Sequence, residues 1–354
     1  MTAPSISQPA VRQVVVDEAG EGQRLDNFLI RHLKGVPKTH VYRIIRSGEV
    51  RVNKARAQAE TRLANGDTVR IPPVRMAPSA LAGAQGTGGP AERSGAAAVG
   101  SSGLAASAAT PAREFPVLFE DDAVLAIDKP AGVAVHGGSG VAHGVIEQLR
   151  RARPGARFLE LVHRLDKETS GILLLAKKRS ALVHLQDQFR RTAGQNGVHK
   201  VYAALVWGQW PASQKVVDLS LHKTLDAAGE RHVRVVQDGH PDGRRSISLV
   251  KVVQAWPAIG GPTAHEQVSQ VDVTLKTGRT HQIRVHLAHH GHAIVGDPKY
   301  GDFARNRQWA RGPLRFARMF LHARQIAFDH PVTGQRVSLE APLPSECATL
   351  LQRL

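Results

Sequence analysis

Apolar positions along the chain follow two kinds of spacing, and each kind predicts a type of secondary structure. Apolar residues three and four positions apart predict amphipathic helices. Runs of four to eight residues that are apolar throughout, or at every second position, predict strands. We predict helices between Leu25 and Gly35, between Pro37 and Gly48, and at 145–151, 181–190 and 280–290. We predict strands at 14–16, 49–53, 67–71, 117–119, 124–127, 172–176, 201–207, 246–253, 268–275, 326–330 and 337–339.

A long stretch from residue 76 to 113 separates these elements into two groups. It consists mainly of Ala, Gly, Ser and Pro, so it buries too little apolar surface to offset the entropy of ordering and predicts a flexible linker. Before it, residues 24–75 predict a small α/β unit, preceded by a tail at 1–23. After it, residues 114–354 predict one α+β domain with an antiparallel-rich mixed sheet, because strands outnumber helices and sequence neighbours can pair as hairpins.

Composition restricts the class of protein. The chain has 354 residues, of which 42% are apolar and 22% charged, as is typical of a globular protein. Its formal net charge of +17 indicates a polyanionic partner, with nucleic acid the first candidate and an anionic membrane the second. The sequence has no apolar run of transmembrane length and no signal-peptide core, so we expect a cytoplasmic protein without a membrane partner. Cys347 is the single cysteine, which excludes an intrachain disulfide and a cysteine-cluster zinc site.

Much of the positive charge lies in the N-terminal segment. Residues 24–75 contain twelve Lys and Arg against four Asp and Glu. In the second predicted helix, Lys38, Tyr42 and Arg46 repeat every four residues and therefore share a face. Cations around an aromatic ring suit phosphates and a stacked base, although a charged stripe is also typical of a solvated face. The candidate RNA-binding residues are Lys38, Tyr42, Arg43, Arg46 and Lys54.

One acid stands out in the larger domain. Asp166 lies beside Arg164 in a predicted turn between two apolar segments, and Thr169, Ser170 and Gly171 supply residues that favour turns. A loop on a rigid sheet can present a carboxylate to a ligand. Asp166 is therefore a candidate catalytic group, with the capping of a turn as the alternative.

Three ordered motifs in the larger domain resemble those of the RluA-type pseudouridine synthases. HRLDKETSGILLLAKK, from His163, resembles the catalytic motif; KVYAALVWG, from Lys200, the tyrosine motif; and GRTHQIRVH, from Gly278, the arginine motif. Three long matches in order are far more specific than one short pattern. In the N-terminal segment, RLDNFL, VPKTHVYRIIRSGEVRVNK and DTVRIPP resemble the S4 RNA-binding domain, in which we interpret Asp26 as structural. The KPAG turn and AVHGGSG loop resemble the large-subunit synthase C type within the family.

The resemblance implies an isomerase that converts uridine in RNA to pseudouridine. This reaction oxidises nothing and consumes no phosphate, so we expect neither a cofactor nor a metal. Asp166 is, by resemblance, the essential carboxylate, and three routes are open to it: attack at C1′, attack at C6, or removal of a C2′ proton. Partial removal from water in a cleft disfavours the charged form of a carboxylate. By resemblance to the family motif, Arg284 is the cation that stabilises the charge of Asp166.

Further site residues follow from the same motifs. Tyr202 points away from the apolar face of its strand; we predict that its ring stacks on the flipped uracil and that its hydroxyl helps to remove the C5 proton, against the alternative of plain packing. We predict that Arg164 holds the backbone or fills the vacated stack when the uridine flips, rather than forming a salt bridge within the loop. The other candidates near the substrate are His163, as a hydrogen-bonding group of the turn, and Ile283, as an apolar floor or ordinary helix core.

Other sites receive less support. Five histidines between residues 281 and 292 invite a metal site, but the sequence lacks HExxH, and the five-residue step from His281 to His286 puts this pair off a common face. The Gly-rich loop at 135–140 lacks the lysine and spacing of a P-loop. We therefore predict no metal and no nucleotide.

Two rival functions remain open at this point. One is a non-catalytic, S4-type ribosome-associated RNA-binding protein, and the other is a metal-dependent nuclease. Within the pseudouridine synthases, the resemblance implies large-subunit ribosomal RNA as the partner, with transfer RNA as the alternative. We expect a monomer.

Overall fold

A computed structural model describes residues 11–17, 20–33, 36–74, 110–137, 143–191, 197–225, 231–258 and 266–354. The chain divides into two compact units, residues 1–109 and 110–354. Several sequence-based predictions lie outside the described residues: most of the N-terminal tail, nearly all of the linker, and the end of the Gly-rich loop.

Helices and a small sheet form the N-terminal unit. The helices are α1 (Leu25–His32) and α2 (Lys38–Arg46), and the strands are β1 (Arg12–Val15), β2 (Arg51–Val52), β3 (Ala55–Arg56) and β4 (Thr68–Ile71). The strands pair antiparallel in the order β1-β4-β2-β3. The predicted apolar face of α2, Val41, Ile44 and Ile45, is buried in the core of this unit. Gly48 follows α2 with a φ of 74°, the left-handed conformation that favours glycine after a helix.

An eleven-stranded sheet dominates the second unit. Its helices are α3 (Val145–Ala152), α4 (Arg179–Arg190), α5 (Gln282–His289), α6 (Phe303–Arg311) and α7 (Ser345–Arg353). Its strands are β5 (Val117–Glu120), β6 (Val124–Lys129), β7 (Glu160–Leu161), β8 (Ser170–Ala176), β9 (His199–Trp207), β10 (Val216–Leu225), β11 (Arg231–Val236), β12 (Arg244–Trp256), β13 (Val268–Leu275), β14 (Leu321–Asp329) and β15 (Arg336–Glu340).

The order of the strands confirms the predicted antiparallel-rich α+β architecture. The main path runs β11-β10-β12-β13-β9-β14-β8-β6-β5, with β15 on β14 and β7 on β8. Among the described strands, β8 with β14 is the one parallel pair. The described helices include none that is both long and apolar enough to cross a membrane.

Strands β6 and β8 carry continuous apolar runs, Val124–Ile127 and Ile172–Ala176, because both faces of the sheet are covered there. In β8, Leu173 and Leu175 pack into one core with α3, whereas Ile172 and Leu174 pack into a second core with α4. Alternate residues of a strand point to opposite faces, so a sheet with helices on both faces requires continuous apolar runs. This packing makes the start of β8 a rigid base for the loop before it.

Gly171 fixes how closely β8 approaches β14. It has a φ of 109° and is paired with Ala323. A Cβ at this position would overlap the backbone of Ala323, and L residues with a side chain rarely adopt this conformation. Glycine is therefore required five residues after Asp166, where the loop that carries Asp166 joins the sheet.

Several elements were not predicted. The strands β10 and β11 at one end of the sheet, the two-residue strands β3 and β7, and the helices α6 and α7 were missed. Strand β14 begins at Leu321, five residues before its predicted start. In α6 the cause is clear, because Trp309 is its one buried residue. A helix that packs through a single side chain shows no apolar periodicity.

Candidate active site

The sequence-predicted site residues of the second unit meet in one cleft. Its volume is about 610 Å³. The predicted residues that line it are Asp166, Tyr202, Arg284, His163, Arg164 and Ile283. Residues from one loop, one strand and one helix, up to 121 positions apart in sequence (163 to 284), therefore form a single site.

Asp166 lies in the turn between β7 and β8. The Thr169 N–H donates to the Asp166 backbone carbonyl at 3.1 Å, which closes the turn. The side chain is 20% exposed, so it is partly removed from water yet open to the cleft. This position suits a carboxylate that must react with a ligand.

A buried lysine supports the same loop from below. Lys129 is fully buried, and its ammonium donates to the carbonyls of Pro130, Val133 and Lys167 at 2.7, 2.8 and 3.2 Å. Burial lowers the pKa of Lys129 to about 7. Because Lys167 adjoins Asp166, these bonds connect the turn of Asp166 to the KPAG turn, whose Gly132 N–H also donates to the Lys167 carbonyl.

Arg284 links Asp166 to a second, buried acid. Its Nη1 donates to Oδ2 of Asp166 at 3.2 Å, while Nε and Nη2 donate to the two oxygens of Asp297 at 2.8 and 2.7 Å. Asp297 also accepts from the backbone N–H groups of Lys299 and Tyr300. Burial alone would raise the pKa of Asp297, but the bonds with Arg284 lower it. Asp297 thus orients the guanidinium of Arg284 by a bidentate contact. The third nitrogen of that guanidinium, Nη1, is left to bond Asp166.

Tyr202 lies on β9 with its side chain in the cleft, as predicted. It is 8% exposed. Burial, and then the negative charge of Asp166, raise the pKa of its hydroxyl. The hydroxyl is therefore neutral at neutral pH, and a ring is available to pack against a base.

The three predicted substrate-binding residues differ in their surroundings. The Nε2 atom of His163 accepts from the Leu174 N–H at 3.1 Å, and the ring stacks on Phe189. Burial lowers the pKa of His163 to about 3, so it is a neutral hydrogen-bond acceptor that stabilises the turn. Arg164 is exposed, whereas Ile283 is 5% exposed and belongs both to the core and to the cleft wall.

The structure also brings polar residues to the site that sequence analysis did not assign. Nε2 of His281 lies 3.8 Å from Oδ2 of Asp166, and its Nδ1 lies 2.8 Å from the Tyr300 hydroxyl. Lys200, two residues before Tyr202 on β9, also lines the cleft. His281 and Lys200 lie inside the arginine and tyrosine motifs, so the motifs could have indicated them as site residues. Tyr300 and Asp297 lie outside all of the motifs.

The histidines on and near α5 do not form a group with metal-ligand spacing among the described residues. His286 is fully buried and forms a 2.7 Å hydrogen bond with Ser246, and burial lowers its pKa to about 4. In the part of the chain that is described, the one group with metal-ligand spacing is His222, His240 and Asp242. None of these three lines the cleft around Asp166.

In the N-terminal unit, the predicted RNA-binding side chains are all exposed; they are Lys38, Tyr42, Arg43, Arg46 and Lys54. The hydroxyl of Tyr42 donates to Asp26 at 3.2 Å, and Arg24 donates to the same carboxylate at 3.2 and 2.7 Å. Asp26 is 2% exposed, which agrees with its predicted structural role. The RLD sequence at residues 24–26 thus fixes the orientation of the exposed Tyr42 ring.

Both units of the chain resemble known proteins. Residues 123–289 match the family model described as RNA pseudouridylate synthase, and residues 23–69 match the S4 domain. The chain is 45% identical to the ribosomal large subunit pseudouridine synthase C of Haemophilus influenzae, over 99% of this chain and 97% of that protein. It is also 45% identical to the protein of the same name from Escherichia coli K12, over 98% of this chain and 97% of the relative. Human RNA pseudouridylate synthase domain containing 4 is a structural neighbour, with a TM-score of 0.51 at 25% identity, over 67% of this chain and 92% of that one.

Proposed function

The chain belongs to the RNA pseudouridylate synthase family, and we propose that it isomerises specific uridines of large-subunit ribosomal RNA with Asp166 as the reacting carboxylate. The observation that carries this proposal is a single carboxylate, open to a cleft, with the buried Arg284 bonded to one of its oxygens. The names of both bacterial relatives support the choice of RNA.

The reaction moves a glycosidic bond within one nucleotide. The N1–C1′ bond breaks, the uracil turns, C5 joins C1′, the proton leaves C5, and N1 ends with a proton. Attack at C1′, attack at C6 and removal of a C2′ proton all require Asp166 to be charged. The guanidinium of Arg284 stabilises that charge in a partly buried site.

A uridine within folded RNA must leave its stack before Asp166 can reach it. The cleft is large enough for one flipped base, with Tyr202 and Ile283 as apolar surfaces. Arg164 is exposed and only two residues from Asp166. A planar cation there suits the role of holding the backbone or filling the vacated stack.

Release of tritium tests the proposed reaction and substrate together. In pseudouridine C5 carries the sugar, so RNA made with 5-tritiated uridine loses the label to water when the product forms. We expect the purified protein to release tritium from large-subunit ribosomal RNA and not from transfer RNA. Release from transfer RNA alone would contradict the proposed substrate, and release from neither RNA would contradict the proposed reaction.

Tyr202→Phe separates the ring from the hydroxyl. A neutral hydroxyl can relay the C5 proton, because oxygen accepts one proton as it gives up another, and loss of such a relay costs about a hundredfold. We therefore expect Tyr202→Phe to bind RNA normally but to release tritium about a hundredfold more slowly. Tyr202→Leu should weaken binding as well, since it also removes the ring. Wild-type rates in Tyr202→Phe would show that the ring alone acts.

Two arginines of α2 test the RNA contact of the S4 domain. Each phosphate contact that is lost lowers the salt dependence of log K by about one. We expect Arg43→Ala with Arg46→Ala to lower that slope by about two and to weaken binding. The matched control is Arg307→Ala with Arg311→Ala, which removes the same charge from the exposed surface of α6. Equal slopes for the two double variants, measured by titration with RNA at several salt concentrations, would remove this assignment.

Asp166, Tyr202 and Arg284 all come from the second unit of one chain. We therefore propose that a monomer is active. We also propose a cytoplasmic location, since ribosomal RNA is a cytoplasmic molecule in the bacteria that carry the relatives.

A further inference from the structure

We propose that His281 and Tyr300 form a hydrogen-bonded arm that fixes Oδ2 of Asp166 and leaves Oδ1 as the atom that reacts. This inference rests on the proposed catalytic use of Asp166. It assigns a positioning role to His281 and, through it, to Tyr300.

Two donors approach the same oxygen of Asp166. Nη1 of Arg284 lies 3.2 Å from Oδ2, and Nε2 of His281 lies 3.8 Å from that same atom. Among the described residues, the side-chain contacts of this carboxylate all end on Oδ2. The two oxygens therefore differ, and Oδ1 is the one left for the substrate. The 3.8 Å from His281 is longer than a hydrogen bond, and donor distances near a catalytic group often shorten when substrate binds.

The partners of Tyr300 determine which nitrogen of His281 has the proton. The Tyr300 oxygen accepts from the Val233 backbone N–H at 3.0 Å, and it lies 2.8 Å from Nδ1 of His281. Because its oxygen already accepts the hydrogen bond from Val233, the hydroxyl donates its own hydrogen to Nδ1. The other ring nitrogen, Nε2, then has the proton and points it towards Asp166. Burial lowers the pKa of His281, which keeps this ring neutral.

The backbone aims the ring at Asp166. His281 is the residue before α5 and has φ 52° and ψ 19°, the left-handed region that residues with side chains rarely adopt. The turn before it is fixed by Gln282, whose Oε1 accepts from the Thr277 hydroxyl and the Arg279 N–H. Uncommon backbone conformations persist where the surrounding structure imposes them, and they cluster at functional sites.

The charge of the arm explains why a histidine suits this position. A second cation beside Oδ2 would weaken the carboxylate as a nucleophile or base, because it would stabilise the negative charge further. A neutral N–H donor orients the group without adding charge. Tyr300 also lies under the guanidinium of Arg284, with 5.1 Å between Cζ and the ring centroid, so one side chain contacts both donors.

A double-mutant cycle tests the arm in the tritium assay. Tyr300→Phe keeps the ring under Arg284 and removes only the hydroxyl, and His281→Asn keeps a residue that tolerates the left-handed region. We expect each variant to lower kcat by roughly ten- to a hundredfold with KM unchanged, as for a misplaced catalytic group. The double variant should be no slower than His281→Asn alone, because the hydroxyl acts through the imidazole. Additive losses, or losses in KM only, would overturn the proposal.

A control and a second readout separate the arm from simple destabilisation. Ser246→Ala removes the hydroxyl that is hydrogen-bonded to His286, a buried histidine of α5. We expect this variant to keep the wild-type kcat. A loss of kcat equal to that of the arm variants would indicate general destabilisation and overturn the arm. Nitrogen-15 shifts of the His281 ring should show a proton on Nε2 in the wild type and a gain of the Nδ1–H form in Tyr300→Phe. A wild-type Nδ1–H form would overturn the arm whether or not the protein modifies RNA. Absence of tritium release by the wild type would instead contradict the proposed function.

Discussion

Replacement of Asp166 by Asn should abolish the reaction and leave the fold and RNA binding intact. The amide has nearly the same shape and can still accept from Arg284, but it has no negative charge and cannot act as nucleophile or base. Removing a catalytic group of this kind costs about 10⁴-fold or more in kcat. Because Asp166 lies on a partly exposed loop, we expect a melting temperature close to that of the wild type.

Asp122→Asn is the matched control. Asp122 is exposed and outside the cleft, so the same change there should alter neither tritium release nor RNA affinity. Tritium release, a thermal melt and an RNA titration on the three proteins check the prediction. A rate in Asp166→Asn within a factor of ten of the wild type would remove Asp166 from the mechanism.

Loss of Arg284 should reduce both stability and activity. The side chain is 4% exposed and is bonded to two carboxylates, one of which, Asp297, is fully buried. Arg284→Ala leaves Asp297 as a buried charge without its cation, which costs about 3–5 kcal/mol of unfolding free energy. It also removes the cation that stabilises the charge of Asp166, so kcat should fall strongly. Urea unfolding and tritium release measure the two effects.

A second substitution separates these two effects. Arg284→Ala with Asp297→Asn removes the buried negative charge, so much of the lost stability should return. Activity should stay low, because Asp166 still lacks its cation. Arg284→Lys keeps a positive charge but lacks the planar guanidinium that bonds both acids at once. We expect its unfolding free energy and its kcat to lie between those of the wild type and Arg284→Ala. Recovery of full activity in the double variant would mean that Arg284 acts only through stability.

The acid dependence of stability follows from the same pair. The folded-state pKa of Asp297 is lowered, so it lies below the unfolded value of about 3.9. The stabilisation that Asp297 adds to the free energy of unfolding is therefore complete above the unfolded pKa. It is lost as the pH falls through the folded pKa. This stabilisation is fully present at neutral pH, where the comparison of Arg284 variants belongs.

The sequence predicted the centre of the fold better than its edges. Strand β8 has an unbroken apolar run of five residues, 172–176, because helices cover both faces, and that pattern is unambiguous. Strand β10, next to the edge strand β11, alternates Asp218, Ser220 and His222 with apolar residues. Such a strand gives a weaker signal, and α6 gives almost none, because it packs mainly through Trp309.

The site divides in a similar way. Asp166, Tyr202 and Arg284 were predicted because each stands in a motif that can be compared, and the structure places all three in one cleft. Asp297 and Tyr300 were missed, since their importance depends on contacts with Arg284 and His281 that exist only in three dimensions. The role proposed for His281 also depends on its left-handed backbone, which the sequence does not reveal.

Mapping pseudouridines in the cell tests the central claim most directly. Large-subunit ribosomal RNA would be treated with carbodiimide and read by reverse transcriptase in cells with the wild-type protein, with Asp166→Asn, and without the protein. We predict stops at a defined set of uridines in the wild type and their loss in the other two strains. The same stops in all three strains would contradict the account, because the modification would then depend neither on this protein nor on its carboxylate.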